Sequence, residues 1–110
     1  MEVLGNLFGL QGLDREAETF DALVATQGLR VERIVSFGQA TPEGEWLEQA
    51  RAEWVAVLQG AALLRFAGEE APRRMEAGDH VLIAPARRHR VEWTATPTVW
   101  LAVHFGASAP

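Results

Sequence analysis

Three histidines and no cysteine set the chemistry open to this chain of 110 residues. Imidazole paired with carboxylate can ligate a metal, transfer protons, or form a hydrogen-bonded pair that binds nothing. His89 is the most suggestive of the three. It lies in "AGDHVLIAPARRHRVEW" (Ala77–Trp93), where a Gly-Asp pair leads into an apolar run, proline and arginine interrupt it, and the histidine opens a second alternating run. Residues two apart on a strand share a face, so His89, Val91 and Trp93 go together, as do Glu53, Val55 and Val57. An ionisable residue heads each of these otherwise apolar faces, which is the pattern of a site inside a barrel and equally of a strand end at its mouth. His104, in "WLAVHF", shares a face with Trp100 and Ala102, a setting in which a lone histidine is more often a core or rim residue than a ligand. His80, beside Asp79, begins a strand and reads as solvated.

Other chemistries find little footing. Without cysteine there are no disulfides, thiolate zinc sites or thiol nucleophiles. No G-x-S-x-G elbow, phosphate loop or dinucleotide fingerprint occurs, and Ser36 and Ser108 have no matched partner. Glu48 and Glu53 form a carboxylate pair that no spacing singles out for catalysis. A formal net charge of -5, with ten basic residues spread along the chain, lacks the footprint that phosphate-backbone binding requires, so no nucleic-acid partner is expected. Arg87, Arg88 and Arg90 form a local basic cluster, readable as a solvated turn rim or as a clamp for a carboxylate or phosphate. The opening "MEVLGNLFGLQG" has neither a basic n-region nor a long apolar run, so no signal peptide or membrane span is expected, and the cytoplasm is the default compartment.

The elements that must position these residues are short. Nearly every apolar run has a period of two and is bounded by Gly, Pro, Asp or Thr, the signature of strands joined by turns. Strands are expected at "ETFDALVA" (Glu18–Ala25), "LRVERIVSF" (Leu29–Phe37), "EWVAVLQ", "AALLRFAG", "HVLIA", "HRVEWTA" and "TVWLAVHF". Gly60, between the third and fourth, signals a hairpin. The segment "EGEWLEQARAEWVAVLQGAALL" has helical composition, but its apolar residues after Glu53 make a short run ended by glycine, which predicts strand, loop and strand. Seven or eight such strands predict one all-β domain, a sandwich or barrel, and a chain of this length can bury somewhat more than ~60% of its unfolded surface. "GASAP" reads as a tail.

At this point "EWVAVLQG", followed by "GDHVLIAPARRHRV", resembles the two motifs of the cupins, jelly-roll barrels of the double-stranded β-helix type. The family's first motif reads G-x5-H-x-H-x(3,4)-E-x6-G and its second G-x5-P-x-G-x2-H-x3-N. Glu53 and Gly60 match the end of the first, and Gly78 and His89 match the glycine and histidine of the second. The paired histidines fall on Trp46 and Glu48 with the longer spacer, or on Leu47 and Gln49 with the shorter. The proline and glycine positions carry Ala84 and Ala86, and the asparagine position carries Trp93. The resemblance implies a single cupin domain over 1–110, with the motif-bearing barrel at about 29–105 and an N-terminal strand segment at 1–28.

It also implies a site. One divalent ion (Mn, Fe, Zn or Ni) would be held by Glu48, Glu53 and His89, a harder set than the family's usual histidine-rich one. Trp46 and Trp93, where the family places polar site residues, would either plug the barrel or line an apolar pocket together with Glu53 and His89. Trp54 and Trp100 read as packing residues. The leading expectation is a small-molecule-binding cupin with a degenerate metal site. The alternatives are a metal-dependent enzyme of the isomerase or dioxygenase type, and a structural dimerisation module with a filled barrel. A homodimer is expected from the resemblance, and fold alone decides among none of these functions.

Overall fold

The structure, a computed structural model, describes residues 2–106, so the expected tail lies mostly outside the described residues. Eight strands are present: β1 (Thr19–Thr26), β2 (Leu29–Ser36), β3 (Ala52–Gln59), β4 (Ala61–Phe66), β5 (Arg73–Glu76), β6 (His80–Ile83), β7 (His89–Thr94) and β8 (Thr98–Phe105). They form a five-stranded sheet in the order β1-β2-β8-β3-β6 and a three-stranded sheet in the order β5-β4-β7, with antiparallel pairing throughout. This is the expected all-β double-stranded β-helix, and the segment of helical composition around Glu53 is strand. No helix among the described residues is long and apolar enough to cross a membrane.

Alternation explains the core. Val55 and Val57 of β3, Ala62, Leu64 and Phe66 of β4, Met75 of β5, Ile83 of β6, and Trp100 and Ala102 of β8 meet between the sheets, with Ile34, Val81 and Val91 packed against them. β5 escaped the sequence reading because "RRME" offers no alternation of apolar residues, and Met75 alone anchors it.

The hairpin expected at Gly60 is not one. β3 and β4 lie in different sheets, and Gly60 is the corner where the chain passes from one to the other. Its φ is 86°, and a Cβ there would stand 2.4 Å from the carbonyl oxygen of Pro97. Only glycine accepts both the left-handed backbone and that approach.

The sheet register carries the site. β8 runs between β2 and β3, so His104 lies across from Arg30 on one side and from Glu53 on the other. His89 begins β7 in the opposite sheet, where its N–H and C=O exchange hydrogen bonds with Leu47 (3.0 and 2.7 Å). That bridge ties the loop before β3 to the rim of the smaller sheet.

Candidate functional site

A cavity of ≈ 430 Å³ opens between the sheets. Ile34, Val55, Leu64, Ile83, Val91 and Trp100 supply apolar wall, and a row of polar groups crosses one side. Two of these, Glu53 and His89, are only 8% and 3% exposed.

His89 is held in one tautomeric sense when neutral. Its Nδ1 lies 2.8 Å from the carbonyl oxygen of Arg87, and a carbonyl only accepts, so Nδ1 carries the proton. Nε2 then presents a lone pair toward Glu53, whose Oε1 is 3.9 Å away, beyond hydrogen-bond reach. Glu53 Oε1 accepts instead from the side-chain amide of Gln49 at 2.7 Å. Glu53 Oε2 lies 3.8 Å from Nε2 of His104, and that nitrogen pairs with Glu32 Oε1 at 3.0 Å. Arg30 donates to the other oxygen of Glu32 at 3.0 Å. The row therefore runs His89, Glu53, His104, Glu32, Arg30, and joins both sheets.

Farther along the cavity wall the indole N–H of Trp100 donates to Ser36 Oγ (3.1 Å), and the Ser36 hydroxyl donates to Glu18. Burial pushes the Glu18 carboxyl above its ordinary range, and the bond from Ser36 offsets only part of that.

Glu53 and His89, predicted by parity to share a hollow, do so. Trp46 and Trp93 stand outside it, contrary to expectation. In β7 the pairing with β4 skips Glu92, so a bulge flips the alternation after Val91: Trp93 turns to the outer face, 41% exposed, beneath the Arg74 guanidinium. Trp46 lies in the loop between the guanidinium groups of Arg88 and Arg90, at 5.7 and 5.8 Å. Leu47 and Gln49 line the cavity in its place, which corresponds to the shorter motif spacer. Glu48 lines it too, but from an exposed position.

Two of the three clustered arginines are engaged within the fold. Arg87 donates to the Ala67 carbonyl (2.7 Å), and Arg90 donates to the carbonyls of Thr41 (3.1 Å) and Glu45 (3.0 Å). Both guanidiniums fasten loops, and none of the three arginines lines the cavity.

His104, Glu32 and Glu18 complete the site beyond the candidates drawn from motif matching, and Gln49 joins them from the second histidine position of the shorter spacer. The signal for two of them was present in the alternation, because His104 shares a face with Trp100 and Glu32 shares one with Ile34.

The implied metal set does not fit a metal ion in this arrangement. Among the described residues no group of three or more His, Asp or Glu side chains could hold one. Glu48 of the implied set stays at the exposed edge, whereas Glu53 and His89 are buried.

No protein-family model and no curated protein matches the chain. Solved structures do. The crystal structure of "a putative mannose-6-phosphate isomerase" from Ralstonia eutropha JMP134 is 44% identical, with a TM-score of 0.90 over 96% of this chain and 100% of that one. A cupin superfamily protein from Desulfitobacterium hafniense DCB-2 is 13% identical, with a TM-score of 0.72 over 84% of this chain and 81% of that one. A sugar phosphate isomerase from a cupin superfamily of Silicibacter pomeroyi DSS-3 is 17% identical, with a TM-score of 0.66 over 84% of this chain and 62% of that one. Likeness at such low identity carries the fold alone. Together with the Ralstonia protein, aligned over nearly the whole chain, and with the matched Glu53, Gly60, Gly78 and His89, it makes this chain a member of the cupin superfamily.

Proposed function

We propose that this cupin binds a small organic molecule in the hollow between its sheets and orients it by the row of side chains from His89 to Glu32. The observation that carries this reading is the cavity of ≈ 430 Å³ with aliphatic walls and convergent polar groups on one side. That volume lies within the range of about 300–1,000 Å³ common to small-molecule sites, and the mix of wall and polar group is what such sites use to combine affinity with orientation.

The phosphorylated-sugar activity in the names of the Ralstonia and Silicibacter proteins is not carried over to this chain. A phosphate dianion needs cationic or backbone N–H partners. Here five glutamates, Glu18, Glu32, Glu45, Glu48 and Glu53, line the cavity, and no arginine does. A metal-dependent reaction is likewise not part of the proposal, because the donor set does not close on an ion.

The test is a fragment screen by thermal shift on the wild type and on Val91→Phe, which fills part of the cavity. Fragments that stabilise the wild type and lose their effect in the filled variant support the reading. Fragments that bind both proteins equally, or a screen that finds none, count against it. Homodimerisation and a cytoplasmic location belong to the same proposal, the first to be read by light scattering on the untagged protein.

A further inference from the structure

We infer that the head group bound in this cavity is a protonated amine, seated between Nε2 of His89 and the carboxylate of Glu53. The inference rests on the small-molecule reading and adds the chemical class.

The first observation is a missing donor. His89 spends its one neutral-state proton on the Arg87 carbonyl, which leaves Nε2 an acceptor. Glu53 Oε1, the facing atom 3.9 Å away, accepts from the Gln49 amide at 2.7 Å and has a second lone pair with which to accept again. Both residues are more than nine-tenths buried, and both line the cavity. Two acceptors cannot bond to each other at any separation. A single nitrogen donor on the cavity side can stand about 2.9 Å from both, the ordinary length for such a bond. An ammonium supplies two hydrogens at once, one to the imidazole and one to the carboxylate, and its third reaches along the wall. A hydroxyl supplies one hydrogen and leaves the other acceptor unmet.

The second observation is the balance of charge. Glu32 is answered by Arg30 and His104, each at 3.0 Å. Among the described residues, Glu53 lies within ion-pair distance of the two histidines, at 3.9 and 3.8 Å, and both must be protonated to count as charges. A buried carboxylate whose compensation depends on imidazoles gains most from a permanent cation. The remaining lining carboxylates raise the local concentration of cations and repel anions. The aliphatic wall opposite then takes an apolar body, so the predicted ligand class is an amine carrying an aromatic or branched aliphatic group.

Four probes that share one ring system test the class: 2-phenylethylamine, 2-phenylethanol, phenylacetate and 2-phenylethyl phosphate, titrated calorimetrically into the wild-type protein at neutral pH. The expected order is amine, then alcohol, with the two anions weakest. Glu53→Gln should weaken the amine by about tenfold or more and leave the alcohol within a few-fold, the difference expected when a charged hydrogen bond is removed. Binding led by either anion, or by the alcohol, overturns the amine assignment while the small-molecule reading stands. Failure of all four probes to bind counts against the cavity reading itself and takes the assignment with it. The ranking in the wild type decides the matter even if Glu53→Gln does not fold.

Discussion

His89 and Glu53 reach toward each other from opposite sheets, with Nε2 and Oε1 3.9 Å apart. Each is held by a partner of its own, His89 by the Arg87 carbonyl and Glu53 by the Gln49 amide. The gap between them is therefore set from outside the pair, as a preorganised binding site requires.

Removing the imidazole tests how far that support is structural. His89→Ala leaves the Arg87 carbonyl without its donor and opens space beside Phe66, whose ring lies 6.2 Å away. The loss should be about 1–3 kcal/mol in urea denaturation. The Leu47 bridge uses backbone atoms alone and should survive. Retained amide-exchange protection at Leu47 is the matching readout, and its loss would show that the side chain also holds the loop.

Glu18 gives a pH-dependent prediction. Burial raises its pKa, so the folded state holds the proton more tightly than the unfolded chain does. Its contribution to stability is favourable below the ordinary carboxylate value and is lost as pH rises through the folded value. Glu18→Gln removes the ionisation and keeps an acceptor for Ser36. The variant should therefore gain stability relative to the wild type as pH rises above the ordinary carboxylate value of about 4.3, measured as paired denaturation midpoints. A difference that stays flat with pH contradicts the assignment.

Much of this architecture is legible in the sequence, and the exceptions share a cause. Period-two alternation places Glu53 with Val55 and Val57, and His104 with Trp100 and Ala102, and both faces point inward as read. Alternation fails where the backbone departs from it. The bulge at Glu92 reverses Trp93, and no residue type in "HRVEWTA" announces it. Trp46 sits in an irregular loop, where sequence spacing assigns no face. Gly60 signals a turn, but turning within a sheet and crossing between sheets both call for glycine, and only the long-range pairing of β3 with β8 and of β4 with β7 distinguishes them. Gln49 stands on a motif position, but an amide is no metal ligand in that motif, and only the structure shows it positioning the central carboxylate.

Gly60→Ala should be among the most damaging single substitutions in the chain. It adds strain at a φ of 86° to a contact of 2.4 Å with backbone, which no side-chain rotation relieves. A loss of about 3 kcal/mol or more is expected. Gly28→Ala provides the contrast, since its φ is 82° and a Cβ there meets nothing within 4 Å. It carries the strain without the clash, so the difference in denaturation midpoint between the two variants isolates the corner contact.

Arg90 holds the loop that supplies Leu47 and Gln49 to the cavity. Its guanidinium donates to the carbonyls of Thr41 and Glu45 while Val91 N–H donates to Thr41 Oγ1 at 2.9 Å. Arg90→Ala should speed amide exchange across residues 41–47 and leave β3 and β8 protected, because those strands pair independently of the loop. Ligand binding should weaken as well, since Gln49 positions Glu53. Unchanged exchange at Glu45 would show that the loop is fixed by other contacts.

The four tryptophans allow the location of the ligand to be read directly. Trp100 lines the cavity, whereas Trp46 and Trp93 lie outside it and Trp54 stacks near His80 with ring centroids 5.4 Å apart. A bound molecule that displaces water beside Trp100 should alter its emission and leave the other three unchanged. The variant Trp46→Phe/Trp54→Phe/Trp93→Phe keeps Trp100 as the sole indole and should retain the whole ligand-induced change, against a lower background. Each phenylalanine keeps an aromatic face for the arginine or histidine beside it, so the fold should tolerate the triple change. If the response to 2-phenylethylamine disappears in that variant, the ligand lies near one of the outer indoles, and the hollow between the sheets is not where it binds.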